Sequence, residues 1–356
     1  MSESAVLHAR VSRSALVDNA RLVADRVSPA ALAVVVKDDA YAHGLEEVVG
    51  TLRAAGVDRF GALDLATALR VRRLAPAEMI FTWVFGENDD LRAAIDAELD
   101  LGVSYPAILE RVAEAASALG RPARVHLKID TGLHRAGVPP REWPAFVERA
   151  AILAGQGLID VVGVWTHISE ASWDADSASI HRFHAAIAAL EAAGLTPSVR
   201  HLAASAASFE RADARFDMVR VGAFVYGIAP GDGIGPAQLG LRPALRLTTT
   251  VSSVDNRNGA RVAMIPVGGV HGLYTDAAGA VDVTISGRRH RVRAVGSTRS
   301  EIDVTGTGIV AGDEVVLFGD GSSGEAVLQE WADAMGTIGE ELVIRLAARA
   351  EHAYVD

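Results

Sequence analysis

The chain has 356 residues, half of them hydrophobic and 22% charged, with a formal net charge of -11 and no cysteine. This composition fits a large buried barrel plus a second domain rather than a disordered chain, and the negative charge argues against a general nucleic-acid surface. Without cysteine there is no disulfide, thiolate metal site or cysteine nucleophile, so no metal is expected. The start, residues 1–4, is polar and no apolar run is long enough to span a bilayer, so a cytoplasmic protein with no membrane partner is expected.

Residues 6–11 read as a short strand. Ser12 follows as the N-cap of a helix over 13–27, whose Leu16, Ala20, Val23 and Val27 share one face. From Leu32 onward, strands and helices alternate. Strands are predicted over 32–37, 60–63, 79–84, 99–103, 125–130, 161–167, 199–203 and 218–226. Alanine-rich helices lie between them at 64–74, 106–119, 141–153 and 177–193. About eight β–α units make a closed parallel barrel of the (β/α)8 TIM type. After Gly227 the pattern becomes short alternating strands with glycine turns, over 241–253, 262–267, 281–285, 290–295 and 315–318, with a helix near 328–334 around Trp331. The expected organisation is a barrel over 12–240 and a mainly β domain built from 1–11 and 241–356.

In a parallel barrel, functional side chains gather at the C-terminal ends of the strands. The first predicted strand ends at Lys37, with Asp39, Tyr41 and His43 beyond it. A lysine there is partly desolvated, the condition a Schiff-base lysine needs, although its head could equally reach water along a buried stem. The fifth strand ends in Lys128-Ile-Asp130-Thr-Gly-Leu-His134-Arg135, the sixth in Trp165-Thr166-His167, the seventh in Ala204-Ser205, and the eighth carries Arg220 and Gly222. Taken singly, His167 could be a satisfied core histidine, Lys128 could pair with Asp130, and Ser205 could cap a helix. Their convergence on one rim weakens those readings together. A lysine for an aldehyde, a serine and glycine backbone site for an anion, and an arginine in the wall suit pyridoxal 5'-phosphate.

These same blocks, taken in order, carry a resemblance. Val36-Lys37-Asp38-Asp39-Ala40-Tyr41-Ala42-His43-Gly44 is similar to the cofactor-lysine signature of the alanine racemase family, with Ala42 where the family usually has glycine. The segments 128–135, 165–167, 201–207 and 218–222 match further family blocks in the same order. The resemblance implies a pyridoxal-phosphate barrel with a C-terminal β domain, acting at the α-carbon of a small amino acid. It implies that Lys37 holds the cofactor and serves as a base. Tyr41, Ser205, Gly222, Ala223 and Tyr354 would grip the phosphate, and Arg220 would face the pyridine nitrogen, which an arginine leaves unprotonated. His167 would orient that arginine or lie near the ring, and Arg135 would approach the phenolic oxygen or the substrate carboxylate. Lys128 matches a family lysine that can carry a carbamate. A homodimer with the site at the subunit interface is implied as well.

The match fails at two places in the β domain. The family's second base is a tyrosine that follows an Ile-Pro-Val-Gly strand, and here Ile265-Pro266-Val267-Gly268 leads into Gly269. Ser300-Glu301 stand where the family has Met-Asp. Either Tyr274 or His271 replaces the tyrosine, or the reaction departs from two-base racemisation. A one-base lyase, a decarboxylase, a biosynthetic enzyme or a catalytically impaired homologue are the alternatives.

Overall fold

The computed structural model describes residues 6–231, 233–257 and 259–356, so the polar start at 1–4 lies outside the described residues. The chain forms two compact units. One comprises Val23–Lys37 and Leu52–Gly222, the other Met1–Leu22, Asp38–Thr51 and Ala223–Asp356. No helix among the described residues is long and apolar enough to cross a membrane.

The first unit holds a closed barrel of eight parallel strands. After β1 (His8–Ser12) in the other unit, the barrel strands are β2 (Ala31–Val35), β3 (Arg59–Asp64), β4 (Met79–Val84), β5 (Asp100–Val103), β6 (Ala123–Lys128), β7 (Ile159–Trp165), β8 (Val199–His201) and β9 (Met218–Val221). Closure occurs where β2 pairs with β9, Ala31 opposite Met218 through Val34 opposite Val221. The helices form where the sequence signals them. Asp64 Oδ1 accepts the Thr67 N–H at 2.8 Å and caps the helix Leu65–Leu74. Pro106 opens the helix Pro106–Leu119, and left-handed Gly120 closes it.

The strand ends differ from their predicted positions in a consistent way. Sequence reading runs the strands on to Lys37, Asp130, His167, Ala203 and Tyr226, whereas pairing stops at Val35, Lys128, Trp165, His201 and Val221. Single bonds to the neighbouring strand persist just beyond, Val36 N–H to Gly61 O at 2.9 Å and Ile129 N–H to Trp165 O at 3.1 Å, before the backbone turns into loops. The Asp130 N–H donates to Val138 O at 2.9 Å, and the Ile228 N–H donates to Ala223 O at 2.9 Å.

The second unit contains a conformation that no propensity favours. Asp38, Asp39, Ala40, Tyr41 and Ala42 all have φ between 52° and 57°. This is a left-handed helical turn built from L-residues other than glycine, at a cost of about 1–2 kcal/mol per residue. Burial holds it in place: Ala40, Tyr41, Ala42 and His43 are at most 5% exposed. The Gly44 N–H donates to Asp39 O at 3.0 Å, the Leu45 N–H to Asp39 Oδ1 at 3.2 Å, and His352 Nε2–H to Ala42 O at 2.8 Å.

The rest of this unit is a nine-stranded sheet in the order β11-β12-β15-β14-β13-β16-β10-β1-β17. Its remaining strands are β10 (Leu245–Thr250), β11 (Ser253–Arg257), β12 (Ala260–Ile265), β13 (Asp282–Ile285), β14 (Arg288–Val295), β15 (Ser300–Asp303), β16 (Glu314–Phe318) and β17 (Glu351–Val355). The mainly β character is as predicted, and the short helix around Trp331 is Leu328–Met335. Its indole stacks edge-on against Phe318 at 5.7 Å and donates to Asp282 O at 3.0 Å. Three strands, β11, β15 and β17, and the helix Gly339–Ala347 were not predicted. That helix buries Leu342, Val343, Leu346 and Ala347 on one stripe.

Candidate active site

In the barrel unit, the polar residues predicted at the strand ends do converge. Arg220 is central and only 5% exposed. Its Nη1 donates to His201 Nδ1 at 2.9 Å, and its Nη2 to Thr166 O at 2.8 Å, His167 Nδ1 at 3.1 Å and Leu202 O at 3.3 Å. The guanidinium carbon lies 5.0 Å from the Trp165 ring, and the Lys128 ammonium lies 4.2 Å from the same ring. Asp130 does not neutralise Lys128 by direct pairing. Its oxygens instead accept the N–H groups of Gly132 and His134 at 3.0 and 3.1 Å and His134 Nδ1–H at 2.8 Å.

The field at this rim is strongly positive. Burial and the neighbouring Arg220 and Arg135 push the Lys128 ammonium down to about 7, against a smaller opposing pull from Asp130. Arg220 is lowered to about 9 by burial and then by Arg135. His167 is held well below its ordinary value by burial, then by Arg220, Arg135, Lys128 and Lys37 in that order. Lys37, half-buried just after β2, and Arg135, exposed on its loop, therefore act on the same imidazole as the two buried cations. Ser205 is half-buried at the start of the helix Ser205–Glu210, and Gly222 is buried directly after β9.

The second unit carries the remaining predicted residues. Tyr41 packs against Tyr226 at 4.8 Å with the rings tilted by 38°, and His43 lies 4.8 Å from the same Tyr226 ring. His43 Nδ1–H donates to Tyr41 O at 2.8 Å, and its buried Nε2 has no hydrogen-bond partner among the described residues. Burial lowers His43 to about 4 and raises the Tyr41 phenol. Gly44, at φ +89°, lets the Tyr354 hydroxyl pack directly on its backbone: a Cβ there would collide with that hydroxyl. Ala223 is 6% exposed at the start of a tight turn that ends at Tyr226. Tyr226 was missed in the sequence because it reads there as part of a strand.

The segment that departs from the family pattern is also in this unit. Gly269 is exposed in a short turn before His271, and a Cβ built on it meets only ordinary contacts, at 3.8 and 3.9 Å. His271 Nδ1 accepts the Gly268 N–H at 3.1 Å. Tyr274 donates its hydroxyl to Glu341 at 2.6 Å beneath Arg345, and its phenol is raised by partial burial and that carboxylate. Ser300 Oγ donates to Val267 O at 2.6 Å, and Glu301 pairs with Arg257 at 2.7 Å.

A closed parallel barrel whose strand ends gather cations defines an α/β-barrel protein of enzymatic type. Residues 11–230 match the family model "Alanine racemase, N-terminal domain" and residues 252–354 match "Alanine racemase, C-terminal domain". An alanine racemase of Frankia casuarinae is 39% identical over 93% of this chain and 91% of its own length. One from Thermobifida fusca is 35% identical over 99% of this chain and 98% of its own. Among solved structures, the alanine racemase of Streptomyces lavendulae matches at TM-score 0.94 with 31% identity, covering 100% of this chain and 98% of that one. The chain belongs to the alanine racemase family, whose members are pyridoxal-phosphate-dependent isomerases. The fold is also shared with the Bartonella henselae alanine racemase, whose structure holds covalently bound pyridoxal phosphate, at TM-score 0.87 and 20% identity over 99% of this chain and 100% of that one.

The residues present fit that cofactor. The barrel unit offers a lysine at a strand end and a cationic field for an anion. Among the described residues, the hydrogen-bond partners of Arg220 are imidazoles and backbone carbonyls rather than a carboxylate. The second unit offers the Tyr354 hydroxyl, packed against the Gly44 backbone.

Proposed function

We propose that this protein racemises alanine, with Lys37 holding the cofactor aldehyde and serving as the base on one face of the substrate α-carbon. The observation that carries this reading is the convergence of Lys37, Lys128, Arg135 and Arg220 on His167. When bound, pyridoxal phosphate supplies the electron sink that acidifies the α-proton. The chain's own residues do the rest. Ser205, Gly222, Ala223, Tyr41 and Tyr354 hold the phosphate through hydroxyl and backbone donors. Arg220 keeps its protons beside the pyridine nitrogen and leaves that nitrogen unprotonated. His167, accepting from Arg220, keeps the guanidinium in orientation. Arg135 meets the substrate carboxylate or the phenolic oxygen, and Lys37 Nζ takes and returns the α-proton. In this reading the enzyme is a cytoplasmic homodimer whose site is completed at the subunit interface.

The opposite face favours a qualified form of the same activity. Gly269 has no side chain to carry a proton, and the Tyr274 hydroxyl is engaged by Glu341. Loss of a positioned acid or base costs roughly a hundred- to ten-thousand-fold in rate. Exchange of the α-proton on the Lys37 face should therefore outrun inversion. L-Alanine incubated in heavy water is expected to gain deuterium faster than it loses optical purity, and Lys37→Ala should abolish both. Absence of D-alanine above a no-enzyme control would refute the racemase reading. Because the backbone at 269 has room for a Cβ, Gly269→Tyr is expected to raise racemisation by about a hundredfold or more.

A further inference from the structure

We propose that Asp100 and His126 are positioning residues for Arg220, acting through His201 as a buried hydrogen-bonded file that admits one arrangement of protons. The functional consequence rests on the reading above, in which Arg220 faces the cofactor ring. The file itself does not.

The four groups lie in line. His126 Nε2 is 3.2 Å from Asp100 Oδ2, His126 Nδ1 is 2.8 Å from His201 Nε2, and His201 Nδ1 is 2.9 Å from Arg220 Nη1. Their exposures are 3%, 0%, 0% and 5%. A guanidinium can only donate, so His201 Nδ1 must accept. The His201 proton then sits on Nε2 and is donated to His126 Nδ1. That leaves His126 Nε2–H as the donor to Asp100. Any extra proton on either ring would set two N–H groups against each other. Asp100 is held below the usual carboxylate range, against its own burial, by its hydrogen bond to His126 and by Arg124. The Arg124 Nε–H donates to it at 2.5 Å. Both imidazoles thus turn a lone pair toward Arg220 and an N–H toward the carboxylate.

Two further observations indicate that the barrel is shaped around this file. Barrel interiors are normally filled by branched aliphatic side chains, but here a Cβ on Gly163 would fall within the His126 ring. Only glycine at 163 lets that ring reach His201. The β6–β7 register also shifts between Val125 and His126, an irregularity of the kind that re-aims a side chain. Phe81 lies 5.0 Å from both imidazoles, and Trp165 lies parallel to His201 at 5.8 Å. The charged and titratable groups facing Arg220 are His201, His167, Arg135 and, across Trp165, Lys128. Those facing Asp100 are Arg124, His126 and Arg72. Asp100 is therefore the formal negative charge that hydrogen bonds link to the buried guanidinium.

The test uses the full chain labelled with 15N-histidine, with and without pyridoxal phosphate, read by long-range 1H–15N correlation. His126 and His201 are both expected to carry their single proton on Nε2. An Nδ1–H or a doubly protonated ring at either position overturns the file, whether or not the cofactor binds. Asp100→Asn keeps an acceptor of the same size without the charge. It should keep the circular dichroism spectrum and cofactor stoichiometry, move the pH at which the bound-cofactor absorption band titrates, and lower kcat about tenfold with KM nearly unchanged, the size expected for one weakened buried hydrogen bond. A wild-type band titration together with wild-type kcat in Asp100→Asn overturns the positioning role. Should that variant fail to fold, the wild-type nitrogen spectra still decide for or against the file.

Discussion

Lys128 shows how the barrel wall, rather than the residue type, sets a side chain's protonation state. Arg220 shares the Trp165 face with it, and Arg135 adds to the same field. With a value of about 7, its neutral amine becomes the main form as pH rises through neutrality. A neutral amine is the form that reacts with carbon dioxide. Carbamylation of Lys128 is therefore expected, seen as a 13C signal from labelled bicarbonate that grows as the pH is raised through about 7 and is absent in Lys128→Met. A signal independent of Lys128 would contradict this. Sequence alone suggested Asp130 as the partner of Lys128, because the two are neighbours in the chain. The structure directs Asp130 into its own loop instead, where two backbone N–H groups and His134 meet its oxygens.

At the scale of the element, the left-handed turn after Lys37 concentrates backbone strain directly beyond that lysine. Tertiary burial outweighs propensity there, since Tyr41 and His43 pack on Tyr226 while Ala40 and Ala42 are sealed from solvent. Relieving one position should stabilise the protein. Ala42→Gly is expected to raise the unfolding free energy by about 1 kcal/mol in urea melts, because glycine adopts positive φ without a Cβ penalty. The reverse change, Gly44→Ala, should destabilise by more than that, since it combines φ +89° with a collision at the Tyr354 hydroxyl. An unchanged midpoint in both variants would mean that the turn relaxes freely. The strand Ala31–Val35 was legible because its residues are apolar on both faces. The turn after it was not, because five consecutive residues other than glycine give no local signal for positive φ.

Across the whole molecule, buried histidines couple stability to acid. His43 has a folded value of about 4 against an ordinary 6.5, so the unfolded chain takes up a proton first as pH falls. The stability His43 contributes is fully present above pH 6.5 and is lost as the pH falls to about 4. By linkage this amounts to at most about 3 kcal/mol for the one group. His201, also lowered by burial, acts in the same direction. Urea midpoints measured at pH 7 and pH 5 should therefore fall with acid, and a midpoint that is flat or rises at pH 5 would contradict the assignment.

The sequence by itself determined the alternation that closes the barrel, the apolar stripes of its helices and the polar residues at its strand ends. Each of these is a local pattern that hydrophobic burial imposes over a few residues. It also marked Gly269 as a position without a side chain to carry a proton. Only the tertiary structure decided how the interior is wired. Asp100, His126, His201 and Arg220 are separated along the chain by 26, 75 and 19 residues in turn, too far for any periodic pattern to connect them. Their meeting depends on adjacent strands aligning in register and on Gly163 leaving space for a ring. Polar groups this deep persist because each finds a partner, and the partners are fixed by closure of the barrel rather than by neighbours in sequence.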